Sequence, residues 1–285
     1  MTHESHAVRS SASSKQPDYV LGTTDRERRR LVQQAELLRE MTLGVFRAAG
    51  LAPGMRVLDI GCGSGDVAML AADLAGKSGS VVAIDRDERN LAFARERAAS
   101  AGYANIEFRV ADILRFSDPK PFDAIVGRYI LLFLPDCAAA LRHLSESLRS
   151  GGMLAMIEPD FSTPWRSIPA APLFDETMRQ VYEVVRGGGI NINVAIELYK
   201  SFVDAGLPGA QLSCQHWISG APGSWVPQYV ADLTESLLPA MEKQGIATRD
   251  EMRMETLAQR LEAEDAATGS VYIGYPIFSA CARKR

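Results

Sequence analysis

The stretch VLDIGCGSGDVA, residues 57 to 68, runs from an apolar strand through a turn with glycines at 61, 63 and 65 into an apolar helix. Glycine has no Cβ, so such a turn lets a ligand approach the backbone closely. Strand, glycine turn and helix form the opening unit of an open α/β sheet, where ligands lie beyond the carboxyl ends of the strands. Asp59 sits inside the strand, and Asp66 opens the helix.

The same alternation continues on the C-terminal side. Strand patterns fall at 56–60, 80–85, 106–111, 122–127 and 152–158, with helical patterns at about 66–75, 88–101 and 135–149 between them. Near-continuous apolar strands separated by helices predict a mostly parallel sheet covered on both faces, a doubly wound α/β domain.

On the N-terminal side, residues 1–16 are polar and read as a disordered tail. Residues 17–50 read as a lid segment, "DYVLG", followed by a helix with Thr24 and Glu27 in a capping box. The basic run RERRR at 26–30 reads as a solvated helix face. Residues 51–160 form the expected core and 161–193 a cap insertion with a helix at 172–186. Residues 194–221 return to the core as a helix and a strand, 222–268 are a helical cap, and 269–285 close the core as one strand.

Composition narrows the function. Apolar residues make up 47% of the 285, enough for a large core, and the net charge of −4 argues against a nucleic-acid partner. Four scattered cysteines form no C-x-x-C pair, so neither a zinc site nor a disulfide framework is expected. No leader pattern and no run of about 20 apolar residues appears, so a cytoplasmic chain without a membrane partner is expected. The first helix is a candidate surface for a homo-oligomer.

Two cofactor classes use a glycine turn of this kind. The dinucleotide fingerprint places a third glycine at the position held here by Asp66, and an acid at that helix start is poor company for a pyrophosphate. A NAD-dependent oxidoreductase is therefore disfavoured, and a non-catalytic cofactor-binding protein stays open. The sequence resembles the class I S-adenosylmethionine-dependent methyltransferases in four motifs taken in order. These are Asp59 with the G-x-G-x-G turn, Asp85 ending "VVAID", Asp112 in "RVADIL", and "FDAIVGRYILLFLPD".

The resemblance implies a Rossmann-like, doubly wound, mostly parallel seven-stranded sheet with an added helical cap, and S-adenosyl-L-methionine as cofactor. It implies a cofactor set of Asp59, Gly61, Cys62, Gly63, Gly65, Asp85, Arg86, Ala111, Asp112, Ile113 and Arg128. Asp85 would hold the ribose hydroxyls, as an acceptor-only carboxylate suits two donors, and Asp112 would lie near the adenine. Asp59 either contacts the ligand or fixes the turn through backbone N–H groups. Cys62 reads as a small buried residue, and Arg128 as a partner for the cofactor's carboxylate.

The methyl acceptor is less legible. The sulfonium is already activated, so the protein mainly aligns the acceptor and excludes water. No histidine–carboxylate pair or converging metal ligands emerge from the spacing. Tyr19, Glu158 and Asp160 are the catalytic candidates, and Tyr19, Tyr129, Phe161, Trp165 and Tyr199 the substrate-binding ones. The resemblance extends to bacterial methyltransferases of secondary metabolism. It implies a small hydrophobic organic substrate, with C-methylation of a terpenoid or prenylated indole placed ahead of O- or N-methylation.

Overall fold

The computed structural model describes residues 25–220 and 223–285, with side chains from Arg30 onward. The Thr24 cap, the "DYVLG" segment with Tyr19, and the tail lie outside the described residues.

Helix α1 (Asp25–Ala49) leads into β1 (Arg56–Ile60), α2 (Asp66–Ala75), β2 (Ser80–Asp85), α3 (Glu88–Ser100), β3 (Ile106–Val110), β4 (Phe122–Arg128), α4 (Cys137–Glu146) and β5 (Leu148–Pro159). Next come β6 (Arg166–Ile168), α5 (Pro172–Gly187), α6 (Val194–Asp204), β7 (Gln211–Gln215) and β8 (Ile218–Gly220). The chain ends with α7 (Val226–Gln244), α8 (Arg249–Met252), α9 (Leu257–Thr268), β9 (Val271–Ile273) and β10 (Ile277–Arg283).

Seven strands form the main sheet in the order β3-β2-β1-β4-β5-β10-β7. β1 to β5 pair in parallel, and β10 runs antiparallel to both β5 and β7. β1 and β4 are nearly buried throughout, as two covered faces require. The chain order reverses between β1 and β4, which opens a crevice at their carboxyl ends, the ligand position of a doubly wound sheet.

The C-terminal segment differs from the single strand expected at 269–285. It breaks at Gly274-Tyr275-Pro276 into β9 and β10, and β9 joins β6 and β8 in a separate three-stranded antiparallel sheet. The strand expected near 210–218 divides in the same way. β7 edges the main sheet while β8 crosses to the small one. In the small sheet β9 buries Tyr272 against Phe174 of α5, with ring centroids 4.5 Å apart. The small sheet thus packs on the cap that α1, α5 and α7 form over the main sheet's carboxyl edge, through α5.

The cap has an aromatic core. Trp165 is buried and stacks on Tyr229 with ring centroids 6.1 Å apart, and meets Trp217 and Trp225 edge-on. Edge-to-face and offset arrangements of this kind add to the burial energy of each ring.

Candidate active site

The glycine turn is shaped by its backbone. Gly61 and Gly63 have φ of 62° and 50°, in the left-handed region that favours glycine. A Cβ at Gly61 would stand 2.3 Å from Cδ1 of Ile130, whereas one at Gly63 would meet nothing within 4 Å. Gly61 is thus needed for packing against the loop after β4, and Gly63 faces open space at the crevice. Cys62 between them is buried, donates its N–H to the Ile84 carbonyl at 2.9 Å, and has its thiol pushed up by burial. Gly65 caps α2 in the same left-handed conformation.

Asp85, at the end of β2, locks this turn. One carboxylate oxygen accepts the Gly63 N–H at 2.9 Å and the other accepts the Asp87 N–H at 2.9 Å. A carboxylate has about four acceptor sites, so the two bonds leave capacity for a pair of hydroxyls. Asp66 is held by Ser64 Oγ at 2.7 Å and by Arg97 of α3 at 2.7 Å. Asp112 is exposed and accepts the Leu114 N–H, with Ala111 and buried Ile113 on either side.

The turn leaving β4 forms the opposite wall. Arg128 donates to Thr42 Oγ1 of α1 at 2.9 Å, and the Thr42 hydroxyl donates in turn to the Leu38 carbonyl at 2.8 Å. Tyr129 then adopts φ 58°, a conformation costly for a side chain with a Cβ. Glu158 of β5 holds this turn in place, its Oε1 accepting the N–H groups of Ile130 at 3.1 Å and Leu131 at 2.9 Å. Burial without a partner for Oε2 pushes the Glu158 carboxyl up to about 7.

Asp59 lies behind the turn, fully buried, and neither oxygen has a hydrogen-bond partner. Burial pushes its carboxyl well above the usual range, and the nearby Arg128 guanidinium offsets part of that. Arg128 is likewise pulled below its usual value by burial.

One cavity of about 850 Å³ unites these groups. Its floor is formed by Gly61, Cys62, Gly63, Asp85, Arg86, Ala111, Asp112, Ile113 and Arg128, nine of the expected cofactor residues. Above them it continues between α1, α5 and α7, lined by Tyr129, Phe161, Met178, Val181, Tyr182, Tyr229, Leu233 and Tyr275. Its acids, Asp66, Asp85, Asp87, Glu88 and Asp112, all belong to the floor.

Tyr129 and Phe161, two of the expected substrate residues, line the cavity. Two others do not. Trp165 is packed behind Tyr229 and Tyr275 in the aromatic core, so it supports the wall. Tyr199 is 48% exposed on α6, on the outside of the sheet, because that helix buries Leu198 and Phe202 instead.

The catalytic candidates fare similarly. Asp160 accepts Ser162 N–H, Ser162 Oγ and Thr163 Oγ1, which makes it the cap of the loop after β5. Glu158 braces the β4 turn, and Tyr19 lies outside the described residues. Arg30, read as part of a solvated face, is only 2% exposed and lines the cavity. With it come Gln34 and Tyr275, residues that sequence reasoning missed.

A model of the methyltransferase domain matches residues 51–195, half of the chain, and spans the whole floor of the cavity. The chain belongs to the methyltransferase family. The methyltransferase is 38% identical over 109 residues to aklanonic acid methyltransferase DauC of Streptomyces sp. (strain C5), covering 38% of this chain and 50% of that one. Over 155 residues it is 34% identical to the ubiquinone/menaquinone biosynthesis C-methyltransferase UbiE of Shewanella frigidimarina, covering 50% and 57%. The chain thus spans about half the length of the curated relatives it matches. A solved structure of a methyltransferase from Bacillus halodurans superposes with a TM-score of 0.56 over 85% of this chain and 98% of that one, at 18% identity, so the fold is shared.

The family and the motif residues agree on the cofactor, which is S-adenosylmethionine. The floor suits it chemically, with an acceptor pair at Asp85 for a ribose and the Arg128 side chain at the cavity wall for the carboxylate of a zwitterion. Among the described residues no group of three or more His, Cys, Asp or Glu is arranged to hold a metal ion, and no helix is long and apolar enough to cross a membrane.

Proposed function

We propose that this methyltransferase moves the methyl group of S-adenosylmethionine to a carbon atom of a hydrophobic small molecule. The observation that carries this reading is the division of the cavity. All of its carboxylates stand on the floor, and the cap walls offer apolar side chains, tyrosines, Gln34 and Arg30, with no carboxylate or histidine among the described residues. Such a chamber accepts an apolar body and provides no strong base, and an electron-rich carbon needs none for its attack on the sulfonium.

Three of the phenols lining the cap do not supply a base either. Burial holds the hydroxyls of Tyr129, Tyr182 and Tyr275 well above their ordinary value, so they stay protonated. The protein's own work is to hold the cofactor on its floor, align the acceptor carbon with the S–CH₃ bond, and keep water out. The names of the relatives, which include a phytyl-naphthoquinone methyltransferase of Synechococcus elongatus, support small ring-bearing acceptors. A terpenoid or prenylated indole is one acceptor of this size and polarity, and O- or N-methylation of a similar molecule is the second reading.

Incubation with methyl-deuterated S-adenosylmethionine and a panel of apolar aromatic and isoprenoid acceptors tests this. Mass spectrometry should find a labelled product whose label NMR places on carbon. A label on oxygen or nitrogen would replace the carbon reading with the second one, and no label on any acceptor would count against both.

A further inference from the structure

Three phenols line the apolar chamber from three separate parts of the chain. Tyr129 comes from the turn after β4, Tyr182 from α5 and Tyr275 from the break between β9 and β10. Each is held in place. Glu158 braces the turn of Tyr129 through the N–H groups of Ile130 and Leu131, and Tyr129 keeps its costly φ of 58° there. Backbone strain of this kind gathers where a side chain must stand in one position. Tyr182 accepts the Trp165 N–H at 3.1 Å, and the Tyr275 ring sits edge-on to Phe161 with centroids 4.9 Å apart. Tyr275 acts electrostatically on both of the others, so the three hydroxyls share one neighbourhood.

Two of their protons have no acceptor. Burial keeps all three phenols protonated, so together they bring three O–H donors. The 3.4 Å bond between the Tyr129 and Tyr275 hydroxyls uses one of these. The other proton of that pair and the proton of Tyr182 meet no acceptor among the described residues, and Trp165 brings Tyr182 only a further donor. Buried donors are almost always paired, because an unpaired one forfeits its hydration with nothing in return.

We propose that Tyr129, Tyr182 and Tyr275 hold an uncharged oxygen of the substrate, so that the methyl acceptor is an apolar molecule bearing a carbonyl- or ether-type oxygen away from the carbon that is methylated. This assignment rests on the cap of the cavity being the acceptor site. The two unpaired protons match the two lone pairs of one carbonyl oxygen. A pure hydrocarbon would fill the same chamber and leave both donors unpaired, and a site built to hydrogen-bond one group discriminates strongly against an analogue without it. Pinning the oxygen at the tyrosines also fixes which carbon of the substrate stands in line with the S–CH₃ bond.

The test uses tetralone and tetralin, two bicyclic probes of nearly equal size that differ by one carbonyl oxygen, on the full chain saturated with S-adenosylhomocysteine. Calorimetry should show tetralone bound about fivefold or more tightly than tetralin. The carbonyl stretch of bound tetralone should fall below its value in hexane, as a hydrogen-bonded carbonyl does. Tyr182→Phe and Tyr275→Phe should each shrink the preference, and the double variant should abolish it and return the stretch toward the hexane value. Tetralin affinity should barely change in these variants, and an unchanged S-adenosylhomocysteine affinity shows that they are folded. Leu233→Glu should weaken both probes alike, which places them in the chamber. Equal affinity for the two probes, a hexane-like stretch, or a preference that survives the double variant overturns the tyrosine site and leaves the apolar chamber standing. Binding of neither probe, or binding untouched by Leu233→Glu, overturns it together with the reading of the cap as the acceptor site.

Discussion

Single residues at the crevice have separable duties. Gly61 and Gly63 share a left-handed backbone, but only Gly61 packs against Ile130. Gly61→Ala should therefore cost about 2 kcal/mol of stability or more, from strain and overpacking together. Gly63→Ala should cost only about 1 kcal/mol while cofactor affinity falls at least tenfold. Urea denaturation and calorimetry on the pair check this, and equal stability losses would place the turn's packing elsewhere. Glu158 makes a prediction in pH. Its folded carboxyl keeps a proton up to about 7 against an ordinary 4.5, so the folded chain binds the extra proton in that window. Stability linked to this group is complete below 4.5 and declines as pH rises through about 7, by up to about 3 kcal/mol. Glu158→Gln should flatten that decline in denaturation curves taken from pH 4.5 to 8. A slope unchanged in the variant would assign it to another group.

At the scale of elements, β1 through α4 could be read to within a few residues because strand, turn and helix alternate with a strong period and each turn carries its own glycine or acid. The cofactor floor was legible for the same reason, since its residues stand at strand ends. The cap was not. Arg30, Gln34, Tyr129, Tyr229 and Tyr275 are separated by most of the chain, and the fold alone brings them together. Arg30 sits in a basic run that looks solvated by composition, and its burial comes from tertiary packing of the kind that sets α1 against α7. Trp165 and Tyr199 were placed in the pocket by residue type, and their helix and sheet neighbours turned them elsewhere. The junction of cap and floor is the Arg128–Thr42 bond, which ties the end of β4 to α1. Thr42→Val removes the acceptor of a buried guanidinium N–H and should destabilise the fold by about 1–2 kcal/mol. A denaturation midpoint unmoved by the change would show that the tether contributes nothing.

Across the whole molecule, the cavity joins two chemically different halves. The floor, built by the sheet, carries carboxylates and close backbone approach, while the cap, built from helices and a small second sheet, carries aromatic and aliphatic walls. The halves should respond independently to substitution. Leu233→Glu, on the half-buried cap wall of α7, should reduce methyl transfer at least tenfold and leave S-adenosylhomocysteine affinity within about twofold, because a carboxylate there disrupts only the apolar chamber. Parallel loss of both would mean that the two halves form one site. The central claim is that the glycine turn and Asp85 hold S-adenosylmethionine, and calorimetry tests it most directly. S-adenosylmethionine and NAD are each titrated into the wild type and into Asp85→Asn. The wild type should bind S-adenosylmethionine, the variant at least tenfold more weakly, and neither should bind NAD. Binding of NAD by the wild type, or S-adenosylmethionine affinity untouched in the variant, would contradict it.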